Sequence, residues 1–353
     1  VTFHHGFSFD LGGGEYPRTS SFEADSPTTV LVPRDSNATL PNFDTLTEAL
    51  NQLGTAAGSI AITDSGRYVD ALPEMVANGV SREIRAADGR CPAVLLRTAS
   101  GGQPWTIRGD ANGAVSLNGL WLIWPRDLAP FPAAEPVPAL RVTGDLRRLE
   151  LRHCTLAPEW FWRTDPERKL VSAPAAYLEI RARAIQATIE NCVLPPLRVG
   201  TDGVRVHLRN CIIDAGAEDK FALSNLTADG PAGSWRLENC SIIGKVSIDT
   251  LELASNCIFL GQSVFVQRRQ EGCLRFSWLP NNAQTRTPRR YRCLPAETGA
   301  NAGVRPQFTS LRFGDPAYAQ LSQRCPAAIR TGADDGAEMG AFHDLFQPQR
   351  EAH

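Results

Sequence analysis

The sequence predicts an all-β chain, a right-handed parallel β-helix (solenoid) with an N-terminal capping helix and irregular loop insertions. Three observations carry that prediction. The pair Asn-Cys returns at Asn191-Cys192, Asn210-Cys211, Asn239-Cys240 and Asn256-Cys257, after a variant His153-Cys154. Its flanks alternate with period two: Leu151, Ile189, Leu208 and Leu237 stand three before the cysteine, and Leu156, Leu194, Ile213, Ile242 and Phe259 stand two after it. The residues two before the cysteine read Arg152, Glu190, Arg209 and Glu238, an alternation of charge that suits a vertical row on a stacked surface.

Period two means strands, and a break in phase at Asn-Cys means a corner between them. Asparagine tolerates the left-handed backbone of a tight bend, and its amide carries both donor and acceptor. Amides stacked about 4.8 Å apart can therefore bond up a ladder. Cysteine is small and often buried, so Cys154, Cys192, Cys211, Cys240 and Cys257 suit a narrow interior corner. Their separations of 38, 19, 29 and 17 residues fit coils of about 20 residues carrying loops of variable length.

Taken along the chain, residues 1–39 read as an extension or linker, 40–345 as the β-helix with terminal caps, and 346–353 as a tail. "FDTLTEALNQLG" predicts the capping helix, with Asp44 as N-cap, Leu46, Ala49, Leu50 and Leu53 on one face and Gly54 as terminator. Such a cap protects strand edges that otherwise invite aggregation. Coil-like pieces follow in "GSIAITDSGRY", "EIRAADG", "AVLLRTA", "WTIRGD" and "AVSLNGLWLIW", where Asn118-Gly119 reads as a degenerate corner. In the last Asn-Cys coil, Leu251 and Leu253 fall out of phase, which predicts a one-residue bulge near Ser255.

This arrangement resembles the pectate-lyase-like right-handed β-helix superfamily. "LSQRCPAAIRTGADDGAEMGAFHDLF" is similar to the closing segment of many secreted bacterial β-helix proteins, with Cys325-Pro326 for Ser-Pro and His343 for the usual glutamate. Together with "RFSWLP", "RRYRC" and "FGDPAYAQLS", the C-terminal third resembles bacterial β-helix proteins of phage-tail-like or contractile-injection gene clusters. The resemblance implies a structural or adhesive role in a bacterial surface or phage-like particle, an extracellular or particle-bound location, and a tendency toward trimers.

Composition narrows the function classes. With 353 residues and 42% hydrophobic content the chain can bury a large core. Lysine and arginine total 36 against 38 acids, so a formal net charge of -2 gives no field to attract nucleic acid or an anionic membrane. The longest apolar runs, such as "GLWLIWP", fall short of the roughly 20 residues of a membrane helix. The chain therefore reads as soluble, without membrane insertion, and since Val1 is no initiator it reads as an excised or processed piece.

Nine cysteines include no C-x-x-C pair, so neither metal nor cofactor is expected. Stacked thiols stand too far apart for disulfides. Outside the ladder, Cys273 and Cys293 bracket a hairpin that a disulfide would close; burial of free thiols is the alternative. No catalytic residue is assigned. Asp202, Asp214, Asp249, Arg205, His207 and Lys245 fall at different offsets from their cysteines, and Asp334-Asp335 reads as part of a terminal turn. Two surface features remain as low-ranking binding candidates: Trp160, Phe161 and Trp162 as a platform for sugar rings, and the basic patch Arg286, Arg289, Arg290 and Arg292 for acidic glycan or a partner protein. Lateral packing and a solvated hairpin are their ordinary explanations. The expected function is a non-enzymatic structural or adhesive module that contacts glycan or partner proteins; the alternative is a lyase or hydrolase of acidic polysaccharide.

Overall fold

The computed structural model describes residues 11–16, 29–33, 40–124, 136–158, 176–296, 303–315 and 317–344. Parallel strands dominate. Most pair with the strand three elements further along, so the chain rises through three stacked faces per coil and fits a β-solenoid. The 19-residue coil from Gln186 to Val204 shows the scheme: Gln186–Glu190 lies on the first face, Val193–Leu194 on the second and Leu197–Val199 on the third, before Arg205–Arg209 returns to the first. The faces run as open stacks and do not close into a barrel.

The Asn-Cys corner joins the first face to the second. His153, Asn191, Asn210, Asn239 and Asn256 have φ of 49, 53, 52, 53 and 57°, the left-handed region that asparagine tolerates. Gly119, Phe276 and Arg292, with φ of 78, 47 and 49°, continue the same bend beyond the repeat. Inside the bend each thiol is fully buried among the inward leucines and isoleucines of the core. Cysteine there does more than fill space: Cys192 Sγ bonds the carbonyl of Glu190 at 3.2 Å, and Cys211 Sγ bonds those of Arg209 at 3.1 Å and Ile189 in the coil before at 3.3 Å. In the coil after Cys257, Ser277 takes the thiol's place, its hydroxyl donating to Arg275 O at 2.7 Å and accepting from Cys257 N–H at 3.0 Å.

Several boundaries differ from the sequence reading. Strand pairing begins before residue 40, because Thr29–Val32 pairs in register with Gly58–Ile62. The N-cap of the helix Leu46–Leu53, here α1, is Thr45 and not Asp44: Thr45 Oγ1 accepts from Glu48 N–H, while Glu48 reaches back to Asp44 N–H at 3.2 Å, a capping-box arrangement. The bulge falls at Glu252, since Trp235 pairs with Leu251 and Arg236 with Leu253. No disulfide joins Cys273 to Cys293; both are free thiols, and Cys293 Sγ bonds Leu274 O at 3.3 Å as the next member of the ladder.

The inward row of the first face includes a buried charge. Arg82 lies opposite Gly58 and Val115, only 2% exposed, and its guanidinium donates to Gly54 O at the C-terminus of α1. Burial holds it below the usual arginine range.

The closing segment does not sit on the end of the solenoid. Residues 318–342 lie along the outside of the second face, where Tyr318, Ile329, Met339 and Phe342 pack with the outward Val193, Ile212, Ile243 and Ile258. That apolar outer surface explains why a lateral cover forms: uncovered, it is a hydrophobic patch along the rod. Among the described residues no helix is long and apolar enough to cross a membrane.

Candidate functional site

Two segments distant in sequence cover the corner amides. Near the first coils of the ladder, Gly12 N–H donates to Asn191 O at 2.6 Å, Gly13 N–H to Thr155 Oγ1 at 3.1 Å, and Trp121 Nε1–H to Gly13 O at 2.9 Å. Gly13 has to be glycine, since a Cβ there lies 2.2 Å from Trp121 Cδ1. Tyr16 packs edge-on against His153, with ring centroids 5.2 Å apart.

The closing segment covers the rest. Asn239 Nδ2 donates to Asn210 Oδ1 at 3.0 Å and Asn256 Nδ2 to Asn239 Oδ1 at 3.2 Å, so these three amides form a bonded ladder. Each also donates to an aspartate of the cover: Asn210 to Asp344 Oδ2 at 2.8 Å, Asn239 to Asp344 Oδ1 at 3.4 Å and Asn256 to Asp334 Oδ1 at 2.8 Å. Asp334 N–H returns the bond to Asn256 Oδ1 at 3.1 Å, and Gly340 N–H donates to Asn256 O at 2.7 Å. Gly340 adopts φ of 100°, and a Cβ there would lie 2.6 Å from Ser241 Oγ, so the place is closed to larger residues.

This docking gathers acids and an imidazole. One ligand-type atom from each of Asp334, Asp335 and His343 lies within 4.8 Å of the others, with His343 buried and both aspartates exposed. His343 Nδ1 meets Glu338 O at 3.0 Å, and its Nε2 faces Asp335 Oδ2 at 3.5 Å and Asp344 Oδ1 at 4.0 Å. Compared with known protein families and with curated proteins, the sequence matches no family model and no individual protein.

The long faces carry charge in a different form. Four residues before each corner cysteine, the outward row of the first face runs Glu150, Thr188, His207 and Arg236, and upstream it continues through Ser116 to Glu83. The sequence reading followed the row two residues before the cysteine; applying the same spacing at minus four, and onward into "AVSLN" and "EIRA", reveals this one. Its acids are paired on their own strands: Glu83 with Arg85 at 3.9 Å, and Glu150 with Arg148 at 3.5 Å and Arg152 at 3.8 Å. In the row at minus two, Arg152 pairs with Glu190 at 3.5 Å, whereas Glu238 turns to Arg236 and His207. On the third face the fully buried Glu179 is held by Arg141 and by Arg181 at 2.7 Å, and Arg198 lies 3.9 Å over the Tyr177 ring. Burial, with Glu179 nearby, raises the Tyr177 hydroxyl above its ordinary range.

Of the sequence-derived binding candidates, Trp160, Phe161 and Trp162 lie outside the described residues. The basic residues belong to the last coil but occupy different positions on it. Arg286 bridges to Phe265 on the third face, while Arg289 and Arg290 sit in the first-face strand Arg289–Tyr291. Arg290 stands in register with the inward Leu274, its Nε donating to Thr287 Oγ1 at 2.8 Å, and Arg292 occupies the corner. Asp214, at no common offset from its cysteine, is bonded by Tyr318 Oη of the cover, and burial raises its carboxyl above the usual range.

Proposed function

We propose that the chain is a non-enzymatic structural or adhesive module, a right-handed parallel β-helix of the pectate-lyase-like kind, serving a bacterial surface or phage-tail-like assembly and contacting glycan through its loops. One observation carries the reading. The buried outward acids of the strands, Glu83, Glu150 and Glu179, are each tied to an arginine of their own or an adjacent strand. A general acid must reach its substrate, whereas these carboxylates are buried and held by arginines. The right-handed sense follows the strong chirality of parallel crossover connections. α1 serves as the N-terminal plug, since its Leu46, Ala49, Leu50 and Leu53 share a core with Val30, Val32, Ile60 and Ile62.

A glycan-array screen paired with a lyase assay, read by absorbance of unsaturated product, tests the proposal. Binding without turnover is the expected result, and turnover of an acidic polysaccharide overturns it. The enzymatic alternative has one observation in its favour: Glu83 and Glu150 share an outward row two coils apart, about 9.6 Å by strand spacing, close to the separation of inverting carboxylates. Trimer formation is a separate matter, which size-exclusion chromatography with light scattering decides; one monomeric species at all concentrations excludes it.

A further inference from the structure

We infer that Asp334, Asp335 and His343 form a binding site for a divalent transition cation of the Zn²⁺ class, which staples the closing segment onto the amide ladder. The argument starts at the imidazole. Glu338 O is a carbonyl and can only accept, so His343 Nδ1 carries the proton that bonds it at 3.0 Å. In the neutral ring Nε2 therefore holds the lone pair. His343 is 8% exposed, and the polar atoms facing Nε2 are the carboxylate oxygens of Asp335 at 3.5 Å and Asp344 at 4.0 Å. A metal cation placed between that lone pair and the carboxylates meets donor atoms on both sides. An imidazole whose other nitrogen donates to a backbone carbonyl is oriented as metal-bound histidines are.

The carboxylates are prepared in the same way. Asp334 uses Oδ1 to accept from Asn256 Nδ2 at 2.8 Å, and Asp335 uses Oδ1 to accept from Ala337 N–H at 2.8 Å. Each keeps Oδ2 for another partner; that of Asp335 points at Nε2, and that of Asp334 lies 3.9 Å from Arg275 Nη2. Thus a corner amide supplies an outer hydrogen bond to the site, and the ladder acquires a use beyond its own stacking. The spacing fits a small cation as well. Ligands about 2.1 Å from a tetrahedral centre stand about 3.4 Å apart, against 3.5 Å between Nε2 and Asp335 Oδ2. The full trio lies within 4.8 Å, and closing it requires only rotation of two exposed aspartates. One imidazole with two carboxylates favours Zn²⁺ or its neighbours over Ca²⁺, which takes six to eight oxygens. Water, or Asp344, completes the fourth position.

The full chain, stripped with chelator, is titrated with ZnCl₂ by calorimetry and with CoCl₂ by visible absorbance, at neutral pH. The expected result is one Zn²⁺ per chain, a tetrahedral Co²⁺ spectrum and a higher melting temperature with Zn²⁺. D335N and H343Q should each weaken binding by at least about 100-fold. H343Q alters a buried residue, so D335N, at an exposed one, keeps the test clean if H343Q misfolds. No saturable binding up to about 1 mM, selective binding of Ca²⁺, or an affinity unchanged in D335N overturns the inference.

Discussion

At the scale of single residues, the corner asparagine serves backbone and side chain together. Asn239 at φ 53° accepts from Asn256 and donates to Asn210 and Asp344. Alanine removes these bonds and also strains the left-handed backbone by roughly 1–2 kcal/mol, whereas glycine loses only the bonds. Asn239→Gly should therefore destabilise less than Asn239→Ala, by about 1 kcal/mol in denaturant titrations; equal losses in the two variants contradict the corner geometry. The thiols beside these amides carry a second expectation. Burial pushes Cys192, Cys211 and Cys257 well above the usual thiol range, and the thiolate is the reactive form. In the folded chain iodoacetamide should spare these three cysteines and modify them only on unfolding, as peptide mass spectrometry will show. Labelling of Cys211 under native conditions excludes the stacked interior.

At the scale of elements, α1 joins the solenoid by two kinds of contact: its leucines enter the core, and Arg82 bonds its terminal carbonyl from the coil below. Leu50→Asp should release the helix, expose the strand edges of the first coil and produce concentration-dependent association in light scattering. A stable monomer in that variant means α1 is not a plug. The elements also show what a single sequence reveals. The Asn-Cys coils were legible because one corner repeats with fixed offsets, so period-two flanks could be aligned on it. The coil begun by Thr29–Val32 was not, since it precedes the first Asn-Cys corner and offers no marker of register. The bulge was sensed from the phase of Leu251 and Leu253 but misplaced, because local phase fixes only that a residue is extra, and cross-strand pairing decides that it is Glu252. The lateral cover was invisible for a different reason. Its bonds join Asn256 to Asp334 and Asn210 to Asp344, residues 78 and 134 apart, and no periodicity reports such contacts. For the same reason Asp334-Asp335 reads in sequence as an ordinary turn, while His343 becomes a potential ligand only after the segment docks.

For the whole molecule, stability is shared among coils that touch only their neighbours and a cover that spans several of them. The ion pairs of the outer faces are worth little individually, so buried groups set the pH response on the alkaline side. Burial pushes three ladder thiols, Cys192, Cys211 and Cys257, above the ordinary 9.0, while in the same network hydrogen bonds with Cys211 and Cys257 draw Cys240 below it. Tyr318, in the cover, is likewise raised above 10.0 by burial and by Asp214. Below these ordinary values both folded and unfolded chains hold the protons, and the stabilisation is complete. Above them the unfolded chain releases protons that the folded chain retains, so stability falls as pH rises, by up to about 1.4 kcal/mol per pH unit for each thiol. Unfolding free energies measured by denaturant titration should thus decline steeply above about pH 9. Serine already serves at this corner as Ser277, and its hydroxyl does not ionise in this range. Combining Cys192→Ser, Cys211→Ser and Cys257→Ser should therefore flatten the decline and leave the gentler slope due to the other groups that burial raises, Tyr68, Tyr177, Tyr318, Cys293 and Cys325. An unchanged slope in the triple variant means the alkaline response does not come from a protonated interior ladder.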